Sequence, residues 1–157
     1  MQIQLVAVGT RMPGWVTEGY EEYAKRLPRE CELVLKEIAP AKRGKNADIA
    51  RLTDDEGERM LAALPRDAHI VALDVAGKEW STENLAEALA RWLQNGRDVA
   101  LLVGGPDGLS PACLKRANQR WSLSKLTFPH PVVRIIVAEQ IYRAFTILKG
   151  MPYHSGH

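Results

Sequence analysis

The chain has 157 residues, 46% hydrophobic and 25% charged, and its 21 Lys and Arg against 19 Asp and Glu leave a formal net charge of +2. That is the size of one ordinary domain, enough to bury roughly 70% of its unfolded surface, and the composition excludes a disordered or fibrous chain. No stretch approaches the ~18 unbroken apolar residues of a membrane span, and the opening MQIQLVAVGT lacks the basic segment of a signal sequence, so the cytoplasm is the expected compartment.

Gln2–Val8 alternates polar and apolar residues and reads as a first strand closed by Gly9. Trp15, Val16, Gly19, Tyr20, Tyr23, Ala24 and Leu27 then recur at helical spacing until Pro28, an aromatic stripe suited to a core or a dimer contact. Cys31–Ile38 reads as the second strand, followed by the loop Ala39–Asn46, APAKRGKN. Its Lys42, Arg43 and Lys45 stand beside a helix start, where cations and free amides together suit the phosphates of RNA. Asn46 can cap a helix from Ala47 to about Leu64. On its apolar line Glu56 intrudes next to Gly57, which means either a carboxylate directed into the site or, more often, a helix that bends or shifts its buried face.

His69–Asp74 is the expected third strand, with a turn at Gly77-Lys78. Ser81 or Thr82 then caps a helix over Glu83–Asn95, and Gly96 terminates it. Val99–Val103 is a continuous apolar run, the mark of a strand covered on both faces of a parallel sheet. Strand, helix and strand of these lengths form a crossover unit, so the expected fold class is α/β, a mostly parallel sheet with helices on both faces. Ser110-Pro111 opens a short helix to Arg120, Trp121–Thr127 holds the fifth strand and its turn, and a long helix runs from Pro131 to Gly150.

The chemistry concentrates after Val103. Gly104-Gly105-Pro106-Asp107-Gly108 lets a ligand approach bare backbone and can supply positive φ, and it lies beyond a strand's carboxyl end, where ligands of open α/β sheets bind. It does not align as G-x-G-x-x-G and no G-K-[ST] follows, which disfavours hydride transfer and nucleotide hydrolysis. Between Gly108 and Ala138 there is no acidic residue, while Lys115, Arg116, Arg120, Lys125 and Arg134 all occur, a bias fitting a polyanionic partner or a solvated basic face. Cys31 and Cys113 belong to no metal or dithiol pattern and the four His show no ligand spacing, so buried free thiols and no metal are expected.

Several separated segments, QLVAVGT at Gln4–Thr10, KRGKNADI at Lys42–Ile49, LLVGGPDGLSPAC at Leu101–Cys113, LTFPHPVVR at Leu126–Arg134 and PYH at Pro152–His154, make nearly the whole chain resemble the RlmH family of SPOUT ribosomal RNA methyltransferases. The resemblance implies one SPOUT domain over residues 1–157 with a C-terminal trefoil knot, working as a homodimer in which each active site is completed by the partner chain. It implies S-adenosylmethionine as cofactor, bound by Leu73, Gly104, Leu123, Ser124, Lys125, Leu126, Thr127 and Phe128. The implied reaction is methylation of N3 of a pseudouridine in the helix 69 loop of 23S rRNA, in the assembled ribosome. Arg134 and Tyr153 join Lys42, Arg43 and Lys45 on the RNA side, and His154 is the candidate proton acceptor, with His130 a second. Ser155 follows PYH where the family usually has a basic residue. A non-catalytic ribosome-binding assembly factor is the competing reading.

Overall fold

Along Gln2–Val8 the side chains of Ile3, Leu5 and Ala7 enter one hydrophobic core and those of Val6 and Val8 another, all five buried. A strand buried on both faces belongs inside a parallel sheet. The computed structural model, which describes residues 1–156, shows that sheet. Its five strands are β1 (Gln2–Val8), β2 (Glu32–Ile38), β3 (His69–Glu79), β4 (Val99–Val103) and β5 (Gln119–Ser122), in the order β2-β1-β4-β3-β5. Every pairing is parallel, with Ile3 opposite Val99 and His69 opposite Val99 in register.

Helices α1 (Gly14–Ala24), α3 (Thr82–Asn95) and α5 (His130–Leu148) cover the face carrying Leu5, Val71 and Leu101. Helices α2 (Ile49–Ala62) and α4 (Pro111–Arg116) cover the face carrying Val6, Val8, Ala100 and Leu102, contributing Met60 and Cys113. Both cysteines are fully buried and free, and burial pushes the Cys31 thiol up to about 11.

Three of the five described α-helices start on a side-chain cap. Ser81 and Asn84 form a reciprocal capping box at α3, and Gly96 ends that helix in the left-handed region at φ 78°. Asp48 rather than Asn46 caps α2, accepting the Arg51 N–H at 3.3 Å. Long-range bonds override local preference elsewhere. Helix α4 stops at Arg116, not Arg120, because Asn118 behaves as a strand partner of Ile70: its N–H donates to the Ile70 carbonyl at 2.8 Å and its side-chain oxygen accepts the Ile70 N–H at 2.8 Å.

Strand β3 does not end at Asp74. Leu73 and Lys78 both pair with Trp121, so residues 74–77 loop out of the ladder before β3 resumes. Gly77 makes this possible: a Cβ there would lie 2.7 Å from the Arg120 carbonyl carbon and 2.8 Å from the Trp121 nitrogen, which are backbone atoms. Gly77→Ala is therefore expected to cost about 1–3 kcal/mol in urea unfolding. Gly44→Ala, where a Cβ meets nothing within 4 Å, should stay within about 0.5 kcal/mol. Equal midpoints for the two variants would refute the close approach.

Candidate functional site

Three segments leave the sheet along one edge: 74–77 within β3, 104–109 after β4, and 123–129 after β5. Together they border a cavity of about 370 Å³, within the roughly 300–1,000 Å³ of small-molecule sites. Its wall combines Leu73, Val103, Trp121, Leu123, Phe128 and Val133 with the backbone of Gly104 and Gly105. Val75 and Leu126 form an apolar rim, 73% and 70% exposed. Of the cofactor residues expected from sequence, Leu73, Gly104, Leu123, Ser124, Leu126, Thr127 and Phe128 line this cavity; Lys125 does not.

The glycine turn folds tightly on itself. A Cβ at Gly104 would lie 2.5 Å from the Gly108 carbonyl oxygen and 2.7 Å from the Leu109 nitrogen. Gly105 and Gly108 form an isolated antiparallel bridge, with the Gly108 N–H donating to the Gly105 carbonyl at 3.1 Å. Of the three loop glycines only Gly108 adopts positive φ, at 79°; Gly104 is required by contact, not by dihedral. Ser110 then caps α4 by accepting the Cys113 N–H at 3.2 Å. Across the cavity, Ser122 donates to the Ser124 carbonyl and the Ser124 hydroxyl accepts the Leu126 N–H, each at 3.0 Å, which orders the third segment.

The cavity's charge is unlike that of its surroundings. Asp74 is the one carboxylate on the wall, and no Lys or Arg lines it among the described residues. His130, the other titratable group there, is held below its ordinary pKa by burial and by the Arg134 charge, so its ring is neutral at pH 7. Its Nδ1 is buried with no hydrogen-bond partner among the described residues.

The expected RNA-side residues are not gathered in one place. Arg134 is buried, donating to Glu37 at 2.7 Å and to the Gly9 carbonyl at 2.9 Å, so it ties the start of α5 to the ends of β1 and β2. Arg43 faces Glu56 and Asp107. Tyr153 and His154 lie in the 3₁₀ turn Pro152–Gly156, docked on α5. Tyr153 donates to Glu139 at 2.7 Å and meets Tyr142 edge-on, while His154 Nδ1 is 3.5 Å from the Thr146 hydroxyl. Neither lines the cavity of its own chain. Glu56, 2% exposed, is buried but does not line the cavity, so the break in α2's apolar line marks neither a carboxylate directed into the site nor simply a bend; its attachment to Ala41 and Arg43 had no sequence signal.

No group of three or more His, Cys, Asp or Glu among the described residues is arranged to hold a metal ion. No described helix is long and apolar enough to cross a membrane.

A three-layer α/β fold of this kind recurs among solved structures. The solved "putative methylase family protein" of Neisseria gonorrhoeae (TM-score 0.50, 14% identity, 90% of this chain and 81% of that one) and "probable methylase family protein" of Haemophilus influenzae Rd KW20 (TM-score 0.57, 12% identity, 96% and 69%) have a similar fold. Residues 1–154 match the family model described as "Predicted SPOUT methyltransferase". The ribosomal RNA large subunit methyltransferase H of Methylococcus capsulatus strain Bath is 69% identical over 154 residues, 98% of this chain and 99% of that protein. The chain belongs to the RlmH family of SPOUT methyltransferases.

Burial alone would raise the Glu56 pKa, but hydrogen bonds from Arg43 and Ala41 and the charges of Arg43 and Arg59 outweigh it. The carboxyl therefore ionises below its ordinary 4.5. A group depressed in the folded state stabilises fully above its unfolded pKa and loses that contribution as pH falls through the folded value. Urea unfolding between about pH 3 and 7 is expected to show a steep acid limb that Glu56→Gln flattens; an identical limb in the variant would count against the pairing.

Proposed function

We propose that the chain methylates N3 of a pseudouridine in the helix 69 loop of 23S rRNA within the assembled ribosome, using S-adenosylmethionine, as a homodimer. The observation that carries this reading is the cavity at the ends of β3, β4 and β5, in a chain 69% identical to a ribosomal RNA large subunit methyltransferase H. When bound, S-adenosylmethionine supplies an electrophilic methyl group on a cationic sulfonium. The wall fits such a ligand: it is apolar, holds the Asp74 carboxylate, and has a neutral His130 and no Lys or Arg.

Leu73, Leu123 and Leu126 offer apolar surface for a purine, and backbone groups of the Ser124–Phe128 segment, including Lys125, can read its edge. Gly104 keeps side-chain atoms away from the transfer path. The chain's contribution to rate is chiefly alignment, with a smaller part from removing the imide proton. His130 stands at the wall of its own chain; His154 and Tyr153 serve the partner's cavity, which the single chain leaves open. Lys42 and Lys45 make no ion pair among the described residues and suit RNA phosphates, whereas Arg134 acts from beneath by holding the start of α5. A ribosomal substrate implies the cytoplasm, and the trefoil knot belongs to the same reading.

Calorimetric titration with S-adenosylmethionine, followed by labelled-methyl transfer to ribosomes lacking the modification, tests it. Binding and transfer are expected, with both lost in Gly104→Val, whose side chain collides with the Gly108–Leu109 backbone. Binding without transfer would favour the assembly factor, and no binding would refute the methyl-donor site. Replacing Lys42 and Lys45 by Ala should weaken ribosome association and lower its salt slope by about 0.7–0.9 for each phosphate no longer neutralised. An unchanged slope would exclude both from the RNA interface.

A further inference from the structure

A carboxylate taken out of water persists only where donors surround it, and Glu56 has three. The Ala41 N–H reaches it at 2.9 Å, and the two terminal nitrogens of Arg43 at 2.8 and 3.2 Å. Pairing for stability would need no more. Yet the same guanidinium also donates from Nε to Asp107 at 2.9 Å and from a terminal nitrogen to the Ala41 carbonyl at 3.0 Å. Asp107 sits inside the bridge between Gly105 and Gly108. One side chain thus joins the basic loop 39–46, helix α2 and the glycine turn.

Helix α2 supports that turn at two further points. The Glu56 carboxylate lies directly behind Gly105, 3.7 Å from where a Cβ would stand. A Cβ on Gly57 would come within 2.8 Å of the Ser110 Cβ, so the helix presses bare backbone against the residue that ends the turn and caps α4. Gly104, Gly105 and Pro106, the stretch so held, form one wall of the cavity.

We propose that Glu56 and Arg43 are positioning residues: acting through Asp107, they set the shape of the Gly104–Gly108 wall and couple it to the basic loop, so that filling the cavity orders Lys42 and Lys45. The inference rests on the methyl-donor reading above. Coupling of this kind is reciprocal, so a loop ordered by phosphate would tighten the cavity in turn. Arg43 is then a strut between loop and wall and not itself a phosphate ligand.

Calorimetry and amide hydrogen exchange on the full chain, with S-adenosylhomocysteine as the probe, test this without relying on activity. In the wild type, the probe should slow exchange across residues 40–46 as well as 104–109. Asp107→Ala removes only an exposed carboxylate, so the fold is expected to persist; affinity should fall about fivefold, and the slowing across 40–46 should vanish. Glu56→Gln should weaken the probe about tenfold, and Arg43→Lys, which keeps the charge but not the three-way geometry, should fail to restore wild-type affinity. Wild-type binding with unchanged exchange across 40–46, or Asp107→Ala binding as tightly as wild type, would overturn the coupling while leaving the donor site intact. A wild-type chain that binds neither S-adenosylmethionine nor S-adenosylhomocysteine would remove the donor reading and the coupling together.

Discussion

Position 104 tolerates no side chain, because the Gly108 carbonyl oxygen and the Leu109 nitrogen occupy the space a Cβ would need. The strand before it is locked by burial on both faces, Val99 to Val103 being 0–5% exposed. The chain must therefore reverse immediately at the sheet edge, and only backbone is narrow enough to do so. From that reversal follow the Gly105–Gly108 bridge, the delivery of Ser110 to cap α4, and a cavity wall made of main chain. A wall without side chains has few rotamers to reorganise, which is a useful property where reacting atoms must be aligned closely.

The features written in the sequence as periodicity survive folding almost unchanged. The unbroken apolar run of β4 and the Ser81 and Gly96 ends of α3 are local signals, and the structure honours them; β1 keeps its alternation only as far as Leu5, after which both faces are buried. What periodicity could not show is where long-range bonds compete with local ones. Lys115 to Arg120 looks helical from its neighbours, but Ile70, 48 residues before Asn118, claims that residue's backbone N–H and side-chain oxygen. The residues Asp74–Gly77 likewise read as the end of a strand and a turn; their role as a looped-out cavity border depends on Trp121 pairing on both sides of them.

The site was half legible for the same reason. Seven of eight cofactor positions drawn from the family resemblance line one cavity, because they lie at strand ends that the parallel sheet forces to one edge. Glu56 stood out only as a break in an apolar line, which reads first as a bend in the helix, and its partner Arg43 comes from a loop with no period at all. Arg134 fell in a stretch without acidic residues and looked like part of a basic face. Its counter-charge, Glu37, is 97 residues away at the end of β2, and the pair is buried on the arginine side.

On the proposed reading the site serves two ligands with opposite demands on charge, and these ion pairs reconcile them. A cavity for a sulfonium should not sit in a positive field, whereas a surface for RNA needs one. Two arginines close to the cavity's elements are matched by carboxylates, Arg43 by Glu56 and Asp107 and Arg134 by Glu37, and His130 at the wall is neutral. Lys42, Lys45, Lys115 and Lys125 have no such partner among the described residues, and none of them lines the cavity. The Arg43 and Arg134 charges are thus cancelled within a few ångströms, while Lys125, between the lining residues Ser124 and Leu126, and Arg120, beside Trp121, keep theirs without lining the cavity. Exposed charges are screened beyond about 8–10 Å, so the two fields coexist on one small domain only if the inner arginines stay paired. On this account the buried carboxylate at position 56 protects the electrostatics of the cavity as well as the shape of its wall.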